Sequence, residues 1–380
     1  MSHTTDVDAD LGAELAADRS PRGLSRRRFV QNAVAAGVGL PTVAALLDAC
    51  TSGGSNKAGS GGGGGGQWGS HPTYKFTLVN HVTTNSFFTP TRYGAQDACS
   101  LLGCTYDWTG SDKSIVKEMV QAMDTAIDRG VNGIGIPVVD PTAFNDPTDK
   151  ALSKGIPVIA YNANPPANNP NGFMAYIGQD LFQAGVEAGN RILKIVHKGD
   201  LVACMIATPG TGNVQPRSDG AKSVLEPAGI KYVEVATGAT QGPEIPAVQS
   251  WYEGHQDVKF MYAVDSGSGI AVATAIAKNN LASKGISGSG WDVGTPTLQQ
   301  VQKGALAFTI DQQAYIQGFY TILQLFLYNV SGGLVRPAPT NTGLLFVTKD
   351  SVGPYLSSQD RYEGSSDKKM ALKPPSSIQV

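Results

Sequence analysis

Residues 288–320, GSGWDVGTPTLQQVQKGALAFTIDQQAYIQGFY, decide how this chain should fold. The aliphatic run Ala305–Ile310 predicts a short buried strand, and Gln313–Val330 carries apolar side chains at helical spacing. Between them stands Gln312, where we expect the chain to cross from one domain to another. The stretch therefore predicts a strand followed by a helix, with a polar residue at the junction.

The same alternation repeats from Tyr74 onward. Amphipathic helices fill the gaps between short aliphatic runs, as at Ile115–Ile127, where Gly130 ends the pattern. Such alternation predicts parallel sheets built from βαβ units, either as two open sheets or as one closed barrel. The aliphatic runs are 74–81, 105–108, 133–139, 157–161, 201–207, 232–236, 259–264 and 305–310.

Two features favour open sheets over the barrel. The short extra strand at 173–177 precedes a long helical stretch, Asp180–His197, which indicates a crossing between domains. Another short strand, 344–347, follows the Gly332-Gly333 break and indicates a second crossing. We therefore expect an α/β protein with two separate sheets.

The most apolar stretch of the chain is 24–54. Its apolar core is shorter than the roughly 20 residues that a transmembrane helix needs. The segment SRRRFV, Ser25–Val30, resembles the twin-arginine export signature, and LDAC, Leu47–Cys50, resembles the lipobox of bacterial lipoproteins. Asp48 departs from that pattern, so cleavage without lipid and a retained signal anchor stay open. We expect a signal region at 1–50 with Cys50 as the lipidation site.

Composition supports a tethered extracytoplasmic protein. Residues 51–72 are mostly glycine, serine and small polar residues, which predicts a flexible linker with a reach of about 25 Å. The formal net charge of the chain is −2, and lysines and arginines form no cluster of the kind that binds nucleic acid. We therefore expect a membrane-anchored body outside the cytoplasm and no nucleic-acid partner.

Three cysteines remain once Cys50 is assigned to lipid: Cys99, Cys104 and Cys204. A disulfide between Cys99 and Cys104 is sterically possible in an oxidising compartment. Buried free thiols are the simpler interpretation, because free cysteine behaves as a small apolar residue. The spacing of cysteines and histidines matches no metal site, and we expect neither a metal nor a cofactor.

The segment 288–320 also carries a family resemblance. Together with four shorter fragments it resembles the sugar-binding proteins of bacterial ABC importers, of the ribose- and galactose-binding type. The fragments are NSFFTPTRYGAQDA (85–98), VVDPTAF (138–144), GQDLFQAGVEAGNRI (178–192) and TGNVQPRSDGAKSVL (211–225). The resemblance implies the type 1 periplasmic binding protein fold, in which two doubly wound parallel-sheet lobes are joined by a three-crossing hinge and close on a ligand. It places the first lobe at 73–178 plus 312–332, the second at 179–311 plus 333–356, and a polar tail at 357–380.

In open α/β sheets ligands bind beyond the carboxyl ends of the strands. Matching the family's ligand contacts residue by residue gives an aromatic pair for the sugar ring and polar groups for its hydroxyls: Phe87, Phe88, Asp140, Asn162, Arg217, Asp265, Asp292 and Gln312. Simpler roles stay open for several of them: a core plug for one phenylalanine, a helix N-cap for Asp140 and a surface position for Arg217. Ala163 and Val264 replace an arginine and an asparagine of ribose binders, which argues against ribose.

The resemblance implies a monomeric binding protein that captures a sugar or polyol and delivers it to the permease of an ABC importer. A receptor for an autoinducer-2-like sugar that signals to a sensor is the alternative. An exported enzyme is disfavoured, because the chain lacks a P-loop and a nucleophile elbow. A transcription-factor effector domain would need a helix-turn-helix, and the N-terminal region instead resembles an export signal.

Overall fold

A computed structural model describes residues 70–164 and 172–374. The predicted signal region 1–50, with Cys50, and nearly all of the predicted linker 51–72 lie outside these residues. Within the described part of the chain, no helix combines the length and apolarity needed to cross a membrane. Cys99, Cys104 and Cys204 are buried free thiols, in keeping with the simpler interpretation of their role.

Twelve strands and ten α-helices alternate along the described residues. The strands are β1 (Lys75–Asn80), β2 (Thr105–Gly110), β3 (Gly133–Ile136), β4 (Val158–Tyr161), β5 (Tyr176–Gly178), β6 (Leu201–Ile206), β7 (Lys231–Ala236), β8 (Val258–Ala263), β9 (Ser287–Ser289), β10 (Leu306–Asp311), β11 (Thr340–Asn341) and β12 (Leu345–Val347). The helices are α1 (Thr89–Leu102), α2 (Val116–Asp128), α3 (Asn145–Ser153), α4 (Leu181–Ile192), α5 (Gln215–Leu225), α6 (Gln241–Gly254), α7 (Ser266–Lys278), α8 (Thr295–Lys303), α9 (Ala314–Val330) and α10 (Gly353–Ser357).

The strands form two six-stranded sheets, so the barrel is excluded and two lobes are confirmed. The first sheet has the order β11-β5-β4-β3-β1-β2, and the second has the order β12-β10-β9-β8-β6-β7. Every pairing is parallel except the antiparallel pair of β10 and β12. Helices cover both faces, which is why β3 and β4 are buried along their whole length.

Amphipathic helices supply the cover. In α2 the apolar residues Met119, Met123, Ala126 and Ile127 share one buried face, at the spacing of three and four that the sequence shows. Each lobe also has a close helix pair in which two glycines allow backbone contact. A side chain at Gly94 or Gly318 would overlap the facing backbone of α9 or α1, and one at Gly185 or Gly220 would overlap that of α5 or α4. The two lobes therefore use the same packing device.

The chain crosses between the sheets after β5, β10 and β11. The third crossing differs from the sequence-based boundary at residue 333, because Thr340–Asn341 pairs with β5 in the first sheet. A strand of two residues has too few positions to show an alternating pattern, which explains why it was not predicted. Gln179 in the first crossing donates its Nε2 hydrogen bond to Gly343 O in the third, at 2.9 Å, and so links the two.

The C-terminal segment packs more closely than the predicted polar tail at 357–380. Helix α10 lies in the second lobe, whereas Arg361 pairs with Asp97 on α1 of the first lobe, with 2.8 Å between Nε and Oδ2. Arg361 also donates to Gln96 Oε1 at 3.0 Å, and its side chain is 5% exposed. The part of this segment that the structure describes therefore forms a fourth connection between the lobes.

Candidate ligand-binding cleft

A cavity lies between the lobes, where the carboxyl ends of the parallel strands face each other. It measures about 520 Å³ including its open mouth. We call it the cleft cavity. Seven of the eight residues expected from the sequence line it: Phe87, Phe88, Asn162, Arg217, Asp265, Asp292 and Gln312.

Gln312 lies at the centre of a buried hydrogen-bond network that joins the lobes. Its Oε1 accepts from Arg217 Nη2 at 3.1 Å and from Asn162 Nδ2 at 3.4 Å, while its Nε2 donates to Asp292 Oδ1 at 2.7 Å. All four side chains are buried. Gln312 lies between β10 and α9, in the second crossing, so one residue connects polar groups of both lobes.

The backbone of Gln312 is fixed by residues of two neighbouring elements. Its carbonyl oxygen accepts from Gln317 Nε2 in α9 and from Thr342 Oγ1 in the third crossing, both at 2.9 Å. Thr342 and Gln317 are themselves buried. The amide at the centre of the network is therefore held by the hinge itself.

Arg217 belongs to the first turn of α5 and is 3% exposed, so it is not a surface residue. Its Nη1 donates to Val264 O at 2.7 Å, and its guanidinium stacks 4.5 Å from the centre of the Trp291 ring. Burial lowers its pKa, and the carboxylate of Asp292 opposes that shift. Its Nε has no hydrogen-bond partner among the described residues.

Asp292 has a left-handed backbone with φ of 68° and is held by the adjacent strand. Its amide donates to Ile310 O at 2.7 Å, and its carbonyl accepts from Thr309 Oγ1 at 2.6 Å. Burial raises the pKa of its carboxyl to about 7, although the charge of Arg217 and the bond from Gln312 act in the opposite direction. Asn162 also has positive φ, 62°, so backbone strain is concentrated at the cleft.

The aromatic wall comes from the first lobe. Asn85 caps the short 3₁₀ turn Ser86–Phe88 by accepting from Phe87 N at 2.9 Å. The Phe87 and Phe88 rings meet edge to face at 4.6 Å. Phe88 is 2% exposed and also packs in the core of this lobe, so it combines the two roles left open by the sequence, whereas Phe87 is only partly buried.

Two of the expected site carboxylates accept hydrogen bonds from nearby backbone amides. Asp140 does not line the cleft cavity, and its Oδ1 accepts from Thr142 N and Ala143 N at 2.9 and 2.8 Å. The structure therefore does not bring Asp140 together with the other expected site residues, because the Asp-Pro-Thr turn holds its side chain locally. Asp265 does line the cavity, yet it also caps α7 by accepting from Ser268 N and Ser268 Oγ, and it accepts a further bond from Ala207 N, directly after β6.

Sequence reasoning missed two titratable residues of the cavity, His81 and Glu244. His81 follows β1, so the rule that ligand groups follow strands could have found it. Burial and then the charge of Arg217 lower its pKa to about 3, which leaves the ring neutral. Glu244 lies in the first turn of α6, where an acidic residue is common and gives no signal of burial.

The lobes contact each other across the cavity. His81 Nε2 of the first lobe lies 3.3 Å from Asn213 Nδ2 of the second, and Gly212 N donates to Val139 O at 3.0 Å. These contacts, with the network around Gln312, define a closed arrangement. The described residues contain no cluster of acidic, histidine or cysteine side chains suited to a metal ion.

Comparisons with known proteins identify the relatives. The model of the periplasmic binding protein domain matches residues 76–329. The xylose/arabinose-binding protein XylF of Sulfolobus acidocaldarius is 46% identical over an alignment of 318 residues that covers 80% of this chain and 78% of that protein.

Solved structures agree on the fold. An ABC transporter solute-binding protein from Burkholderia graminis, in complex with D-arabinose, superposes with a TM-score of 0.68 at 24% identity, covering 74% of this chain and 96% of that one. A carbohydrate transporter protein from Acidothermus cellulolyticus, in complex with myo-inositol, gives 0.67 at 22% identity and covers 77% of this chain and 100% of that one. The relatives are solute-binding proteins, which confirms the expectation that this chain is not an enzyme. By its matched domain, its two-sheet fold and its relatives, this chain belongs to the periplasmic binding protein family.

Proposed function

We propose that this protein captures a sugar or polyol in the cleft cavity and delivers it to the permease of an ABC importer. One observation carries the proposal: Arg217, Gln312, Asp292 and Asn162 form a buried polar network that spans both lobes and borders a cavity. Amide, carboxylate and guanidinium groups can donate or accept hydrogen bonds in fixed directions, as a ligand rich in hydroxyls requires.

The contacts of each lobe support the following roles for the proposed site residues. Phe87, with the buried Phe88 behind it at the cavity wall, covers an apolar face of the sugar ring. Arg217, Asp292, Asn162 and Gln312 bond its hydroxyls. Asp265 supports the second lobe's wall from its cap position, and Asp140 contributes only to its own turn.

We propose a pentose as the ligand, and the most extensive sequence similarity reported above supports this choice. The similarity to a xylose/arabinose-binding protein extends over most of both chains, at an identity well above that of the solved structures. Ala163 and Val264, where ribose binders carry polar contacts, make ribose a poor candidate. We propose an aldopentose with the hydroxyl arrangement of xylose or arabinose.

Binding would work by stabilising closure. Open and closed forms exchange, and a sugar that bonds groups of both lobes favours the closed form. The permease then recognises that form. We further propose that the protein acts as a monomer outside the cytoplasm, held by lipid on Cys50 through the linker 51–72, and mass spectrometry of the mature N-terminus tests the lipid.

A thermal-shift screen of the full chain tests the function. The panel contains pentoses, hexoses, deoxysugars, polyols and furanoses of the autoinducer-2 type. We expect the melting temperature to rise specifically with an aldopentose, since ligand bound to the native state stabilises it by mass action. No shift across the panel would contradict the proposal.

A further inference from the structure

Glu244 is a buried carboxyl group at the second-lobe wall of the cleft cavity. The residue is 2% exposed and lines the cavity. Its Oε2 has no hydrogen-bond partner among the residues that the structure describes. A buried polar atom left unpaired is costly, so its retention at a cavity calls for a reason.

The chain makes room for this carboxyl group at the start of α7. A Cβ at Gly267 would overlap Oε2 and Cδ of Glu244, so only glycine fits at this position with the present Glu244 rotamer. The carboxyl group therefore lies against the first turn of α7, next to the cap residue Asp265. The neighbouring Ser266 also lines the cavity.

Two adjacent carboxyl groups in a buried site cannot both ionise without a large electrostatic cost. Asp265 accepts three hydrogen bonds, from Ser268 N, Ser268 Oγ and Ala207 N, and these stabilise its anion. Glu244 Oε2 has no such donor among the described residues, so the protonated form is favoured at Glu244. Burial, followed by the charge of Asp265, raises its pKa to about 9.

A neutral carboxylic acid has one donor and one free acceptor. With the proton on one oxygen of Glu244, the other oxygen can accept a hydrogen bond. The cavity wall at Glu244 is thus suited to a hydroxyl group that donates, and the neighbouring anion of Asp265 disfavours a ligand carboxylate.

We propose that Glu244 is a further ligand-contacting residue, which accepts a hydrogen bond from one sugar hydroxyl and so determines which hydroxyl pattern the cleft accepts. The inference rests on the proposed function, since it concerns the same cavity. A site built to bond a hydroxyl rejects analogues that lack it, because the protein group is then left unpaired.

The test combines variants of the protein with analogues of the sugar in a double-mutant-type cycle. Titration calorimetry of the full chain at pH 7 measures each affinity. The ligands are D-xylose, both enantiomers of arabinose, and the 2-, 3- and 4-deoxy analogues of whichever sugar binds best. In the native protein we expect one deoxy analogue to bind about 10 to 100 times more weakly than its parent as a result of losing Glu244's bond. In Glu244→Ala the ratio of the parent's affinity to that analogue's affinity should fall to about 2 or less. The same ratio for each of the other two deoxy analogues should stay unchanged.

Two further variants separate contact from packing. Glu244→Gln keeps an acceptor and a donor and should bind the parent sugar within about fivefold of the native protein. Glu244→Met keeps the volume, removes the acceptor and carries the same test if the alanine variant does not fold. Glu253→Ala, at the exposed end of the same helix, is the matched control and should change nothing.

The outcomes distinguish the two proposals. Parent affinity unchanged in Glu244→Ala, or all three deoxy ratios preserved in Glu244→Ala and Glu244→Met, would overturn the role of Glu244 and leave sugar binding intact. Failure of the native protein to bind any of these pentoses would count against the proposed ligand class itself. Loss of one deoxy ratio alone, with Glu244→Gln close to native, supports the inference.

Discussion

The two walls of the cleft cavity come from lobes of the same architecture and differ in chemistry. The lining residues of the first lobe are aromatic, amide, hydroxyl or aliphatic, with His81 held neutral, whereas the second lobe contributes Arg217, Asp265 and Asp292. Each lobe joins a helix pair through facing glycines, so the packing is repeated while the ligand groups are not. The difference supports the proposed roles, in which the first lobe mainly covers the sugar ring and the second lobe supplies the charged groups that bond its hydroxyls.

Removing the second lobe's guanidinium should have the largest effect. Arg217→Ala removes the donor to Val264 O and to Gln312 Oε1 and the positive charge that acts on Asp292, and we expect a loss of about 2–5 kcal/mol of binding free energy. Titration calorimetry with the best pentose measures it. Lys222→Ala on the exposed side of α5 is the control. Equal affinities for the two variants would contradict the role of Arg217 as the main ligand group of the second lobe.

A pH profile sharpens the role of Asp292. Its folded-state pKa of about 7 lies above the ordinary value of 3.8, so the protonated form is favoured by folding and stability is lost as pH rises from about 4 to about 7. The full effect is at most about 4 kcal/mol. As pH rises, the unfolding free energy of Asp292→Asn should fall less steeply than that of the native protein. Near pH 5.5 the two slopes should differ by about 1.4 kcal/mol per pH unit.

Urea unfolding of the ligand-free protein at several pH values measures this difference. Glu244 also has a raised pKa and leaves a residual slope in both proteins. Asp257→Asn, at an exposed site before β8, serves as the control. Parallel profiles for the native protein and Asp292→Asn would show that Asp292 titrates normally.

The aromatic wall should matter less than the guanidinium. Phe87→Ala removes a partly buried ring without leaving an unpaired polar group, so we expect a loss of about 1–2 kcal/mol of binding free energy. Phe87→Tyr keeps the ring face and should bind almost normally. A larger loss of binding free energy in Phe87→Ala than in Arg217→Ala would show that the first lobe, and not the second, contributes most to sugar affinity.

The smallest expected effect on binding is at Asp140. Asp140→Ala removes the two bonds to the Thr142 and Ala143 amides and should cost about 0.5–2 kcal/mol of stability, with affinity for the sugar unchanged. Thermal unfolding and calorimetry of the same sample separate the two quantities. If the Asp140→Ala variant is fully folded and its affinity for the sugar drops by more than about tenfold, Asp140 contacts the ligand after all.

The sequence was sufficient for features that repeat or stand in long motifs. Alternating runs predicted both sheets, and the segment 288–320 identified Asp292, Gln312 and the crossing between β10 and α9. Two features without periodicity were missed, the short strand β11 and the packed segment around Arg361. Glu244 could not be predicted because its burial depends on Gly267 in another helix, a contact that only the folded chain creates. For Asp140 the sequence suggested a ligand contact, whereas its carboxylate accepts hydrogen bonds from backbone amides of its own turn.

A crystal structure of the full chain grown with the pentose that gives the largest thermal shift tests the central claim most directly. The account predicts one sugar between the lobes, with its ring against Phe87 and its hydroxyls bonded to Arg217 and Asp292. A sugar bound to one lobe alone, or anywhere outside the cleft cavity, would contradict it.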